Sequence, residues 1–149
     1  MSRTRIADSP PDAHEHTMRA RYGETDQMGR IHHAVYVLWM EEARTRMMEA
    51  AGCSYVELEK RGFGLVVRAV DLRYRAACFF DDLIAVRCWV AELGSASVRI
   101  GYAMYQGEVC VCTGSTQLAC VDLRADPPAV RPLPEDVVTT FERAPQARP

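Results

Sequence analysis

The sequence has no long apolar run and almost no lysine. No stretch approaches the ~20 consecutive apolar residues that a membrane-spanning helix needs, and residues 1–16 are too polar to form a signal peptide. We therefore expect a soluble, cytoplasmic protein with no membrane partner. Lys60 is the only lysine, so nearly all of the 18 basic residues are arginines. The net charge of −2 argues against a nucleic-acid-binding protein, which usually carries a basic surface.

Sequence patterns for a metal site are also absent. The two cysteines Cys110 and Cys112 form one Cys-x-Cys pair, but no second pair exists to complete a zinc site. The cysteines lie mostly inside apolar strand patterns, where a cytosolic protein usually buries them as small hydrophobic residues. The six cysteines are Cys53, Cys78, Cys88, Cys110, Cys112 and Cys120. We expect neither a metal nor a cofactor.

The length of 149 residues suits one domain with a sizeable core. We expect a single domain over residues 1–149, with a loose N-terminal tail at 1–15 and a proline-rich C-terminal segment at 124–149. His14 and His16 of that tail are expected to lie in solvent. The first alternation of polar and apolar residues predicts a strand over 17–22.

A long helix and four strands follow this first strand. Residues 34–51 carry apolar side chains at helical spacing, which predicts a helix with one apolar stripe. The stripe consists of Tyr36, Met40, Ala43, Met47 and Ala50. Alternating patterns separated by short turns predict further strands, and capping residues predict two short helices. The strands cover 64–76, 83–93, 97–106 and 109–123, and the short helices cover 54–62 and 134–141. One long helix against an antiparallel sheet of about five strands is an α+β arrangement.

Residues that could take part in catalysis cluster between the first strand and the long helix. Glu24 and Asp26 precede the helix, and His32 and His33 stand directly before it. Unpaired N–H groups at a helix start attract negative charge. A carbonyl oxygen that becomes negative during attack could therefore rest there, with Asp26 nearby to act on it. Asp26 could also be a turn or N-cap residue, the commoner role of an aspartate before a helix, and His33 could be a structural histidine.

Several short motifs occur in a consistent order over residues 17–135. In chain order they are Glu24-Thr25-Asp26, Gly29, His33-Ala34, Tyr36, Glu41, Ala43-Arg44, Arg73-Tyr74, Asp81-Asp82-Leu83, Leu93-Gly94-Ser95-Ala96-Ser97, Cys120-Val121-Asp122 and Arg131-Pro132-Leu133-Pro134. In these motifs the sequence resembles the hotdog-fold acyl-CoA thioesterases of the 4-hydroxybenzoyl-CoA thioesterase and YbgC-like kind. It departs from the family pattern at His32, often Tyr, at Val35, commonly Asn, and at Ala77, usually Pro.

The resemblance implies a hotdog fold, in which the antiparallel sheet wraps around the long central helix. It also implies hydrolysis of an acyl thioester, carried by CoA or by an acyl-carrier protein, to a free acid and a thiol. Asp26 would be the general base or the nucleophile, His33 would assist it, and the helix-start amide near His33 would polarise the thioester carbonyl. The substrate-binding residues would be Gly29, Ile31, His32, Ala34 and Tyr36.

The resemblance further implies a homodimer or homotetramer, because the family places its active sites at a dimer interface. Some hotdog thioesterases carry their carboxylate on the helix, which makes Glu41 the alternative base or nucleophile. Arg68, Arg73 and Arg75 could meet the phosphates of CoA or be ordinary exposed strand residues. The alternative function is a non-catalytic acyl-thioester-binding protein with a regulatory or structural role. The presence of Asp26 favours the enzyme.

Overall fold

The computed structural model describes residues 8–148. Its elements, in chain order, are β1 (His14–Arg19), a 3-10 turn (Tyr22–Glu24), α1 (Val35–Ala50), α2 (Tyr55–Lys60), β2 (Phe63–Tyr74), β3 (Leu83–Leu93), β4 (Ser97–Gln106), β5 (Val109–Asp122), β6 (Ala129–Val130) and α3 (Glu135–Arg143). Within this range no helix is long and apolar enough to cross a membrane.

The strands form one antiparallel sheet in the order β1-β3-β4-β5-β2, and the two-residue β6 adds a short sixth strand beside β5. β3 and β4 have the predicted bounds. The predicted turn between β4 and β5 is confirmed, with Gly107 at its left-handed position (φ 60°). β2 lies at one edge of the sheet and β1 at the other. The expected α+β arrangement is therefore confirmed.

The middle of α1 supplies the centre of the core. Met40, Ala43 and Met47 of the predicted stripe have almost no exposed surface, and α1 contacts β1 and β3. The Sδ atom of Met47 lies 3.7 Å from the Sγ atom of Cys88. All six cysteines are free, and all except the half-buried Cys110 are buried, as expected for small hydrophobic residues. Ala50, the last residue of the predicted stripe, is exposed instead.

One buried residue of α1 is charged. Arg44 is only 8% exposed, and its Nη1 donates to the Tyr102 hydroxyl at 3.0 Å and to Thr116 Oγ1 at 3.5 Å. The Tyr102 and Thr116 hydroxyls lie 2.8 Å apart. A buried charge is costly unless it is hydrogen-bonded, and this network meets the need. The sequence pattern did not predict it.

The N-terminal segment differs from the prediction. β1 covers His14–Arg19 rather than 17–22, because its pairing with β3 runs from His14 opposite Cys88 to Arg19 opposite Leu83. Residues 1–7 of the predicted loose tail lie outside the described residues, whereas Ser9 is buried and His14 begins the strand. His16 is not solvated either, since its Nε2 lies 3.2 Å from Glu42 Oε1.

The C-terminal segment is also tied to the sheet. α3 begins after Pro134, as predicted, and buries Val137 and Phe141 in the core. Beyond α3 the chain bonds β3, because Val90 N donates to the Pro145 carbonyl at 2.7 Å. The proline-rich segment therefore contributes to the core of the domain.

Candidate active site

The loop before α1, the first turn of α1 and the end of β2 enclose an open cleft of about 410 Å³. Of the predicted site residues, Asp26, Ile31, His33 and Tyr36 line this cleft. Gly29, His32 and Ala34 belong to the same loop but do not line it. Tyr74 and Arg75 complete the wall from the end of β2.

Asp26 both shapes its loop and leaves one oxygen available. Its Oδ1 accepts hydrogen bonds from the amides of Met28 at 2.8 Å and Arg30 at 3.1 Å. Gly29 closes the turn with φ 79°, a left-handed conformation that favours glycine, and its N–H donates to the Asp26 carbonyl at 3.0 Å. Within residues 8–148, Asp26 Oδ2 has no hydrogen-bond donor. The turn role and the chemical role of Asp26 are thus compatible.

The neighbouring carboxylate, Glu24, has a different role. Its Oε1 accepts from the Arg21 amide at 2.7 Å and its Oε2 accepts from the indole N–H of Trp39 at 3.0 Å. Both oxygens are therefore engaged, and they fasten the loop to α1. The sequence placed Glu24 and Asp26 in one cluster, but only Asp26 lines the cleft.

The start of α1 is capped by a histidine ring. His32 Nδ1 accepts from the Ala34 amide at 3.1 Å, and the rings of His32 and His33 stack with centroids 4.2 Å apart. The His32 amide donates to the Glu24 carbonyl at 2.9 Å, and the His32 carbonyl accepts from Val35 at 3.0 Å. In the described part of the chain, the His33 amide alone among these has no hydrogen-bond partner. It is a free donor of the kind that an electronegative oxygen needs.

Two tyrosines form the back of the cleft. The Tyr74 hydroxyl donates to the His33 carbonyl at 2.7 Å, and its ring meets the Tyr36 ring edge-on with centroids 5.1 Å apart. Tyr36 is only 3% exposed, and burial, followed by a hydrogen bond with Cys78, raises the pKa of its hydroxyl. Burial also raises the pKa of the Cys78 thiol, so neither group offers a nucleophilic anion near neutral pH. Sequence reasoning did not assign Tyr74 to the site, although its Arg73-Tyr74 motif was a usable signal.

Glu41, the alternative carboxylate, does not line this cleft. It lies at a second cavity of about 330 Å³ between α1, α2 and β2, whose wall includes Arg44, Tyr55, Leu65 and Val67. Glu41 Oε2 is 3.9 Å from Arg44 Nη2.

The three strand arginines also separate. Arg75 lines the Asp26 cleft, and its Nε donates to Thr113 Oγ1 at 3.2 Å. Arg73 pairs with Asp71 at 3.0 Å, and Arg68 lies where the register of β2 shifts between Val67 and Ala69. Among residues 8–148 no group of three or more His, Cys, Asp or Glu side chains is placed to hold a metal ion.

Comparison with known proteins gives the family of the chain. A family model described as "Thioesterase-like superfamily" matches residues 20–141. The chain belongs to this superfamily. The putative acyl-CoA thioesterase YneP of Bacillus subtilis is 31% identical over 130 residues, which cover 85% of this chain and 94% of YneP. The acyl-CoA thioester hydrolase YbgC of Escherichia coli O157:H7 is 28% identical over 85% of this chain and 93% of its own length.

Solved structures agree on the fold. A hypothetical protein of Thermus thermophilus, TT1821, has a TM-score of 0.81 and 32% identity over 86% of this chain and 96% of its own. The gentisyl-coenzyme A thioesterase BH1999 has a TM-score of 0.79 at 22% identity, over 85% of this chain and 98% of its own. The hotdog fold expected from the motifs is thus confirmed, and so is the thioesterase class at the level of the superfamily.

Proposed function

We propose that the Asp26 cleft hydrolyses an acyl-CoA thioester to a free acid and CoA. One observation carries this proposal: among the described residues Asp26 Oδ2 and the His33 amide have no hydrogen-bond partner, and both residues line the same cleft in a chain of the thioesterase-like superfamily. The first supplies a base or nucleophile, and the second supplies a donor for the thioester oxygen. These are the two groups that hydrolysis of a thioester needs most.

In the base route, Asp26 Oδ2 takes a proton from a water molecule as the water oxygen attacks the carbonyl carbon. The carbonyl oxygen becomes negative and accepts a hydrogen bond from the His33 amide. When the C–S bond breaks, the thiolate leaves and takes up the proton. In the nucleophile route, Oδ2 attacks the carbonyl carbon, the C–S bond breaks and the thiolate leaves. Water then hydrolyses the resulting mixed anhydride to the free acid and the Asp26 carboxylate, and the proton that the water loses goes to the thiolate. A base typically supplies about 10²–10⁴-fold, and losing one oxyanion donor costs about 2.7–4 kcal/mol.

The His33 ring has a supporting place in this proposal. The ring is stacked on His32 and exposed, and it belongs to the residue that bears the free amide. From the wall of the cleft it can hydrogen-bond the attacking water or the substrate. Ile31 and Tyr36 line the same cleft and are the apolar side chains that would contact the acyl group.

The site is completed in this proposal by a second copy of the chain. Within residues 8–148 no strand pairs with the outer edge of β2, and Val67 and Val70 on this strand are 46% and 44% exposed. A long apolar edge strand is a template for pairing with another strand. A two-fold dimer would pair the two β2 edges antiparallel.

Antiparallel pairing has a consequence for the site. The Tyr74 end of β2 would lie beside the Leu65 end of the partner's β2. Since Leu65 lines the second cavity and Tyr74 lines the cleft, the partner's second cavity would adjoin the Asp26 cleft. Each active site would then use both subunits, with the chemistry in one and the distal end of the acyl group toward the other.

Release of free thiol from a panel of aliphatic and aromatic acyl-CoAs tests the proposal, with the same acyl groups on an acyl-carrier protein as a second arm. We expect release from at least one acyl-CoA, matched by an equal amount of free acid. Tight binding of acyl-CoA without any thiol release would contradict hydrolysis and favour the acyl-thioester-binding alternative.

A further inference from the structure

The peptide unit between His33 and Ala34 is held by side chains at both of its polar groups. Its carbonyl accepts a hydrogen bond from the Tyr74 hydroxyl at 2.7 Å. Its N–H donates to His32 Nδ1 at 3.1 Å. These two side chains come from different elements, since Tyr74 ends β2 and His32 lies in the loop before α1.

The adjacent peptide units are held as well. The His32 amide donates to the Glu24 carbonyl, and the His32 carbonyl accepts from the Val35 amide. Of the backbone amides of His32, His33, Ala34 and Val35, the His33 amide is the one without a partner among the described residues. Because each peptide unit is planar, fixing the units around this amide fixes the direction in which its N–H points.

The N-cap residue of α1 does not supply these contacts. α1 has Ala34 at its N-cap, which offers no side-chain oxygen to the first amides. His32 caps the Ala34 amide with a ring nitrogen instead, and leaves the His33 amide open. A Ser or Asp cap in the place of His32 could accept from the same amide, two residues further on, but the His33 carbonyl would still need the Tyr74 hydroxyl.

Tyr74 is itself firmly placed. It lies opposite Cys112 in the pairing of β2 with β5, and its ring packs edge-on against the buried Tyr36 ring. The hydroxyl therefore reaches the His33 carbonyl from a rigid support. Because the strand and the ring hold Tyr74 in place, its hydroxyl needs little reorganisation when charge develops nearby.

We propose that Tyr74 and His32 are positioning residues that aim the His33 amide at the thioester oxygen. This inference rests on the proposed function, because it assigns these two side chains to the donor used there. Neither residue needs to touch the substrate. Together they hold the His33 N–H in one direction.

Tyr74→Phe is the first test, because it keeps the ring contact with Tyr36 and removes only the hydroxyl. We expect kcat to fall about tenfold, the size of one lost hydrogen bond, while KM stays within about twofold. Tyr105→Phe, on β4 and away from the cleft, is the matched control and should keep wild-type kcat. A wild-type kcat in Tyr74→Phe would overturn the role of Tyr74.

His32 is tested by replacement and rescue. His32→Ala removes the cap and should lower kcat by a similar factor, whereas His32→Asn should restore it, because an asparagine oxygen readily accepts from the amide two residues on. If Asn fails to rescue, His32 acts through its imidazole and the capping role is overturned.

Hydrogen exchange at the Ala34 amide separates this inference from the proposed function, since it needs no substrate. Exchange should be slow in the wild type, faster in His32→Ala and slow again in His32→Asn. Equal exchange rates in all three would overturn the capping of this amide. Absence of thiol release by the wild type would instead refute the hydrolysis on which the aiming role depends.

Discussion

The residues that lead into α1 and the middle of α1 are close along the chain but are built in opposite ways. At the start, His32, His33 and Ala34 are exposed, and the His33 amide has no hydrogen-bond partner within the described residues. In the middle, Met40 is fully buried, and even the charged Arg44 has hydrogen-bond partners. Unsatisfied groups at the start are available for a substrate, whereas the satisfied middle holds the sheet and helix together. Substitutions at the start should therefore change the rate, and substitutions in the middle should change stability.

The largest effect on stability should come from Met40→Ala. Met40 has no exposed surface, so its truncation leaves a cavity and should lower the free energy of unfolding by about 2–5 kcal/mol. Leu38→Ala, on the same helix but 60% exposed, is the matched control and should cost no more than about 0.5 kcal/mol. Urea unfolding measures both. Equal losses in the two variants would break the contrast between the two parts of α1.

A charge on the outer edge of β2 tests whether activity of the Asp26 cleft needs a partner subunit. Val70→Lys should prevent the pairing of β2 edges, because a lysine on an edge strand opposes strand addition. The mass measured by light scattering should fall to about that of one chain, 16.7 kDa, and thiol release should fall with it. Val109→Lys, on β5 and also exposed, should leave both unchanged. A fully active 16.7 kDa wild-type species would contradict the composite site.

A smaller, pH-dependent effect is expected at a surface pair outside α1. Asp136 accepts from Arg61 at 2.7 Å, and this hydrogen bond lowers the pKa of the Asp136 carboxyl. A lowered folded-state pKa gives stability that is present above the unfolded pKa and is lost as the pH falls through the folded value. Asp136→Asn should therefore melt slightly below the wild type at pH 7, and the difference should vanish in acid. A difference in melting temperature that persists at low pH would show that it does not come from the Asp136 charge.

The smallest expected effect is that of chelation. Asp26, His32 and His33 are the residues near the cleft that could recruit a metal, but they do not form a ligand group in the described structure. Thiol release should continue at an unchanged rate after dialysis against EDTA. Loss of activity that one added metal ion restores would contradict this prediction and make those three residues the ligands to examine.

Much of the fold could be predicted from the sequence because local spacing decides it. The apolar stripe of α1 and the alternation of β3 and β4 gave the right elements, since each period reflects one buried face. The alternation of Met18, Ala20 and Tyr22 was misleading, because strand bounds at β1 depend on the pairing with β3. The burial of Arg44 could not be predicted either, since its partners Tyr102 and Thr116 lie 58 and 72 residues away in the sequence.

The residues of the candidate cleft could be predicted more readily than the contacts between them. Asp26 and His33 line the cleft as expected, because a fixed loop length brings them to the helix start. Glu24 differs in role from Asp26 because the Trp39 indole N–H donates to it. The place of Tyr74 depends on a contact with a carbonyl 41 residues earlier. Contacts of this kind are set by tertiary packing, which a single sequence does not show.

The two neighbouring carboxylates offer the most direct test, as Asp26→Asn and Glu24→Gln measured side by side. Both replace a carboxylate with an amide of similar size, two residues apart. Asp26→Asn should lower kcat by roughly 10²–10⁴-fold while acyl-CoA binding and the melting temperature stay near the wild type, because asparagine serves a turn as well as aspartate. Glu24→Gln should lower the melting temperature and keep the rate of the folded enzyme. A stable Asp26→Asn variant with near-normal thioester turnover would contradict the account and move attention to Glu41.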